Sequence, residues 1–260
     1  MHKFKIIGNA LFIVLLVLII VYLLLPSKEG IENFPIADDA YEAVPDFARY
    51  EQVVDKKQAF FNYLAPAIRA QNEHVLNIRD MLIAYKAKEI AGESLTKRQN
   101  KALTWLIQEY RVSDDLSRDL MYEQLLLKVD IIPIELVLVQ AANESAWGTS
   151  RFARNGYNFF GIWCFKKGCG FVPNKRNEAA SHEVAKYESL SHAVYAYMLN
   201  LNRHEAYKEL REIRKQRRQQ QQEISAVALI EGLSQYSERG EAYIEELQHM
   251  IRTNKGLMPL

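Results

Sequence analysis

Two cysteines in 260 residues are too few for a disulfide scaffold. Cys164 and Cys169 also lack a histidine or carboxylate at metal-ligand spacing, so they do not complete a zinc site by themselves. Charge of one sign is missing too. The formal net charge is +1 with 25% charged residues, which is not the polycation that nucleic-acid binding advertises. There is no zinc-finger spacing, P-loop or dinucleotide fingerprint, and no internal repeat. Nucleic acid is therefore not an expected partner. What is present is 49% hydrophobic content, enough for one sizeable core plus a tail.

The apolar residues are concentrated at the start. Ala10 to Leu25 carries no charge, and Ile6 and Ile7 extend the run toward the roughly 20 residues that span a bilayer. Leu24-Leu25-Pro26-Ser27 offers no small-x-small cleavage site, and the run exceeds an ordinary signal-peptide core. Residues 1–25 read as an uncleaved transmembrane signal-anchor, with a cleaved signal peptide as the alternative. Lys3 and Lys5 precede the run, while Lys28, Glu29, Glu32, Asp38 and Asp39 follow it. The positive-inside rule then puts the rest of the chain on the periplasmic side of the cytoplasmic membrane. Residues 26–45, with Pro26, Gly30, Pro35 and Pro45, read as a tether. In an oxidising compartment Cys164 and Cys169 are expected to close a small hairpin as a disulfide; two separate thiols are the alternative.

From Asp46 the pattern turns helical, and residues 46–130 form a helical N-terminal region. Phe47, Tyr50, Val53, Val54, Phe60, Phe61 and Leu64 recur at three- and four-residue steps. Pro66 is expected to kink or divide this helix, and Gly92 to stop its continuation. Thr96 and Gln99 fit a capping box. Leu116 to Val129 reads as another helix. Arg211 to Arg218 is basic and reads as a solvated helix surface or connector. Gly156, Gly161, Gly168, Gly170 and Pro173 punctuate short aromatic runs, which predicts a small β-hairpin with 182–187 as its returning strand. Helices resume near Ser191, near 224–232 and over 242–251.

Pro133 fits the first position of a helix that ends in Gln140-Ala-Ala-Asn-Glu-Ser-Ala-Trp-Gly148. On that helix Val137, Gln140, Ala141 and Glu144 share a face. An apolar face removes hydration from Glu144, which favours its neutral form and raises its pKa. A protonated Glu beside a glycosidic oxygen is a general acid. A passive Glu at a helix C-terminus would instead meet the unfavourable end of the macrodipole.

Gln140-Ala-Ala-Asn-Glu-Ser-Ala-Trp-Gly148, followed by Asn158-Phe-Phe-Gly-Ile162, resembles the N-acetylglucosaminidase family of bacterial autolysins and flagellar-rod peptidoglycan hydrolases. Tyr187-Glu-Ser189 with Tyr197, and Tyr236-Ser237, resemble later elements of the same family. The resemblance runs from about Pro133 to Asn254 and implies a glucosaminidase domain over 131–260. It implies a mainly α, lysozyme-like fold with a small β-hairpin lobe, no metal or organic cofactor, and peptidoglycan glycan strands as substrate. Carried onto this chain, it makes Glu144 the catalytic acid and Tyr236 a residue that lines or assists the cleft. Ser145, Asn158 and Phe160 are then expected to shape the cleft floor, Trp163 to stack on sugar, and Tyr187 to hold the helix below. Ala193 departs from a serine common in the family. The family's second carboxylate has two candidates, Glu178 and Glu183, and the mechanism (retaining, inverting or substrate-assisted) stays open. A muramidase or lytic transglycosylase, and a non-catalytic wall-binding scaffold, are the rival functions.

Overall fold

The structure, a computed structural model, describes residues 43–173 and 182–260. The expected signal-anchor, all but the last three residues of the tether, and Glu178 lie outside the described residues. Among the described residues no helix is long and apolar enough to cross a membrane.

A single 3-10 turn, Phe47–Arg49, leads into a 38-residue helix, α1 (Val53–Ile90). Pro66 lies inside α1, and of the two expected outcomes, a kink or a division, the division does not occur. The carbonyl that loses its donor belongs to Asn62, on the exposed side of the helix where water can replace it. On the other side Phe60, Phe61, Leu64, Ala65, Ala67 and Ile68 are buried, and that packing outweighs one lost hydrogen bond. After α1 the chain turns at Gly92, whose φ of +79° suits glycine. The Thr96 and Gln99 side chains form the expected capping box of α2 (Lys97–Glu109). Next come α3 (Arg118–Lys128), α4 (Ile134–Ser145) and α5 (Arg151–Gly156). Pro133 is the N-cap of α4 rather than its first residue.

A short sheet follows, with β1 (Trp163–Cys164), β2 (Gly170–Phe171) and β3 (Glu183–Ala185). It is not the two-stranded hairpin expected. The antiparallel order is β1-β3-β2, so the returning strand lies between the other two. Gly170 permits this, because a Cβ there would fall 1.9 Å from the Val184 carbonyl oxygen. A disulfide joins Cys164 to Cys169 across the loop, with the Cα atoms 6.2 Å apart. β3 brings Glu183 within 4.8 Å of both sulfurs, a neighbour that linear spacing hid. Sulfurs bonded to each other are not thiolate ligands.

Four helices complete the chain: α6 (Leu190–Arg203), α7 (Lys208–Gln219), α8 (Ala226–Ile230) and α9 (Glu241–Asn254). A mainly helical body with a small three-stranded sheet fits the lysozyme-like arrangement. One apolar cluster runs from Phe47 and Phe60 through Val137 and Tyr197 to Leu247 and Ile251, so residues on both sides of position 130 share a core.

α7 departs most from its sequence appearance. Arg211 and Arg214 are each only 1% exposed, not solvated. The Arg214 guanidinium donates to the carbonyls of Leu127 (3.0 Å) and Ile131 (2.9 Å) and to Asn202 Oδ1 (2.7 Å). Arg79 of α1 donates to the Val129 carbonyl at 2.9 Å. These cations satisfy carbonyls at the C-terminus of α3, where a helix leaves acceptors unpaired and favours positive charge. Asp130 accepts a forked pair of hydrogen bonds from Arg218. Burial alone would push the Asp130 carboxyl up. The Arg218 bonds and the charges of Arg214 and Arg79 more than reverse that, and it sits below the usual carboxylate range.

Candidate functional site

Every residue of α4 from Leu136 to Ala142 is buried, so the helix is the central post of the core. Val137, Gln140 and Ala141 face inward as the spacing predicts. Glu144, one turn later, emerges at the C-terminal end of α4 and is reached by solvent, rather than lying within the apolar stripe.

The backbone after Glu144 is unusual. Ala146, Trp147 and Gly148 take φ values of +51°, +59° and +75°, three successive left-handed residues. Two carry side chains, and such residues cost on the order of 1–3 kcal/mol each. Three contacts hold the turn. Ser145 Oγ donates to the Ala141 carbonyl (2.6 Å) and accepts from the Gly148 N–H (2.8 Å). Trp147 packs edge-on against Phe60 and Phe61, with ring centroids 5.6 and 5.4 Å away. Gly148 sits where a Cβ would come within 2.4 Å of the Phe47 ring. The turn thus leans on α1 and the 3-10 turn before it.

Facing Glu144 is the turn over 158–162. Asn158 is buried; its Nδ2 donates to the carbonyls of Ile162 (2.8 Å) and Ala185 (2.9 Å), and its Oδ1 accepts from the Ile162 N–H (3.1 Å). This ties the turn to β3. Gly161, at φ +66°, points at the acid: a Cβ built there lies 3.7 Å from Glu144 Oε2.

Oε1 is engaged from the other side. The Tyr243 hydroxyl donates to Glu144 Oε1 at 3.0 Å and accepts from Gln140 Nε2 at 3.0 Å. Gln140 Oε1 in turn accepts from the Tyr197 hydroxyl. Tyr197, Gln140, Tyr243 and Glu144 therefore form a chain in which every donor points toward the acid. Tyr236 stacks on Tyr243 with ring planes 8° apart and donates to the Phe160 carbonyl at 3.2 Å. Burial raises the Glu144 carboxyl above its ordinary range. The Tyr243 hydrogen bond and the Arg239 charge oppose the shift, and Glu246 adds to it. Glu144 as a whole residue is exposed, yet its oxygens lie beside the Tyr243 hydroxyl and Gly161, so exposure and a raised pKa coexist.

The remaining expected residues divide between the site and its frame. Ser145 and Asn158 are buried with their polar atoms committed to backbone groups. Phe160 is buried and stacked on Tyr197 at 4.0 Å. Tyr187 is buried with its ring edge-on to His192. Trp163 is 55% exposed and lies flat against His182 at 4.2 Å. Glu183 is buried, and its two oxygens accept from the N–H groups of Gly168 (3.0 Å) and Gly170 (2.8 Å). Two residues near the acid went unrecognised in the sequence: Tyr243 and Arg239. Tyr243 stands in the first turn of α9, and Arg239 lies just before its N-cap, Gly240.

Residues 119–256 match the sequence model of the glucosaminidase family, described as mannosyl-glycoprotein endo-beta-N-acetylglucosaminidase. The chain is 34% identical over 217 residues to Protein bax of Escherichia coli strain K12, covering 83% of this chain and 76% of that protein. No solved structure matches it. The first match takes in more than half of the chain, including all of α4 and α9, and with the second it establishes that the protein belongs to the glucosaminidase family of glycoside hydrolases.

Proposed function

We propose that the protein is a peptidoglycan hydrolase that cleaves β-1,4 bonds after N-acetylglucosamine. Glu144 donates the proton, and residues 1–25 hold the enzyme on the outer face of the cytoplasmic membrane. The observation that carries this reading is the asymmetric environment of Glu144. Tyr243 occupies Oε1, so the transferable proton belongs on Oε2, which faces the open space beside Gly161. Burial favours the protonated form, which is the form a general acid must hold as the leaving oxygen arrives. Tyr236 holds the Phe160 carbonyl and keeps Tyr243 stacked in place. Trp163, backed by His182, offers an exposed flat ring to a sugar face.

Glu183 is committed to two backbone amides of the disulfide loop, an arrangement that suits a structural carboxylate better than a second catalytic group. The second role is then left to Glu178, which lies outside the described residues, or to the substrate's own 2-acetamido group. Mass spectrometry of digested sacculi tests the bond assignment: reducing N-acetylglucosamine ends are expected, and anhydro-muramyl ends would overturn it. Glu144→Gln tests the acid. It keeps the shape of the side chain and removes the proton donor, so equal muropeptide release by wild type and variant would falsify the assignment.

A further inference from the structure

Arg239 has no role in the reading above, yet it stands one phenol ring from the acid. Its guanidinium carbon lies 5.4 Å from the centroid of the Tyr243 ring, whose hydroxyl holds Glu144. The side chain is 52% exposed. Its backbone is fixed: the Arg239 N–H donates to Ser237 Oγ (3.3 Å), and the Gly240 N–H donates to the Ser237 carbonyl (3.0 Å). One terminal nitrogen pairs with Glu246, which is 39% exposed and one helical turn beyond Tyr243. An ion pair this open contributes little to stability, so fold maintenance is a poor account of the residue. The Nε and the other terminal nitrogen make no hydrogen bond with the described residues. They lie on opposite edges of the guanidinium, and each shares its edge with the nitrogen on Glu246, whose second N–H completes a fork for a carboxylate on the open edge.

We propose that Arg239 is a specificity residue that binds a carboxylate carried by the glycan strand, so that the Glu144 site selects acidic strands over neutral ones. This rests on the glucosaminidase reading and names a feature of its substrate. Two sources share the chemistry: the lactyl carboxylate of a muramic residue stripped of peptide, and the free carboxylates of a stem peptide. A bound carboxylate also neutralises the cation that, among the described residues, pulls the Glu144 pKa down. Binding of the acidic strand thereby helps load the catalytic proton. The other groups that act electrostatically with Glu144 are Tyr243 and Glu246 on α9, Tyr197 on α6, Tyr207 just before α7, and Tyr236.

The test uses the full chain and four strand preparations: peptide-stripped or peptide-bearing, each native or with its carboxylates converted to amides. Affinity is measured by calorimetry in the Glu144→Gln background, and KM and kcat in the wild-type background. Native strands are expected to bind about tenfold more tightly than their amides, the size of one exposed charge-assisted contact. Arg239→Gln should bring the ratio close to one, and Arg239→Lys should restore part of it. Whichever native strand shows the preference identifies the source. A ratio near one in the Arg239-containing protein, or one that survives Arg239→Gln, overturns the proposal. If strands bind with the expected ratio but wild type cleaves none, the hydrolase reading falls while the carboxylate contact stands.

Discussion

Asp130 lies just before α4 and Glu144 in its last turn, and the two have opposite properties. Burial pushes both carboxyls toward the neutral form. Asp130, only 2% exposed, nevertheless sits below the usual range, because Arg218, Arg214 and Arg79 converge on it. Glu144 is the more open of the two and sits above its range, since its company is one phenol hydroxyl and an arginine offset by Glu246. Depth does not decide which acid keeps its proton. The count of guanidiniums within reach does. One carboxylate is a fastener between α1, α3 and α7; the other meets a phenol hydroxyl and no guanidinium hydrogen bond among the described residues.

The contrast can be tested from both ends. Glu144→Gln is expected to lower kcat by about 10²–10⁴-fold, the range for a positioned general acid. Its Tm at pH 7 should be unchanged or slightly higher, because an acid held above its unfolded pKa costs stability when ionised. Asp130→Ala leaves three guanidiniums without their anion and is expected to cost roughly 3–5 kcal/mol of stability. Denaturant unfolding measures that loss, while kcat per folded molecule should fall far less than in Glu144→Gln. Tyr243→Phe should reduce kcat by on the order of tenfold through loss of one positioning hydrogen bond. Because that bond favours the ionised carboxylate, its removal raises the Glu144 pKa further. The alkaline limb of the pH–rate profile should then move to higher pH; a downward move would count against the Tyr243–Glu144 hydrogen bond.

The smallest effect is acid unfolding. Asp130 is depressed in the folded state, so its contribution is complete above its unfolded pKa of about 3.9 and disappears as pH falls through its folded value. The gap between the stability curves of wild type and Asp130→Ala should therefore begin to narrow below about pH 4 and keep narrowing through the folded value. Curves that stay parallel would show that the arginines do not depress Asp130.

Short-range rules located much of this. The Thr96–Gln99 box, the stop at Gly92 and the helix under Glu144 all follow from signals within a few residues. The disulfide pair is also local. What stayed hidden depends on distant partners. Arg214 and Arg218 look like a solvated run until Asp130, more than eighty residues earlier, is folded against them. Pro66 looks like a helix breaker until the aromatic packing on either side is counted. Likewise β3 places Glu183 at the disulfide loop, a meeting that neither segment announces. Tyr243 was missed because one hydroxyl aimed at one carboxylate, ninety-nine residues away, leaves no periodicity to detect.

The left-handed turn after Glu144 sets a limit on how this protein can be dissected or recombined. The residues that match the family begin at 119, yet the turn is propped by Phe47, Phe60 and Phe61, all upstream of that boundary. Grafted without them, the shared portion would keep its signature residues and lose the surface that holds them at the right angle. The kinship with Protein bax spans 83% of this chain and so takes those three rings in: the turn and its props travel together.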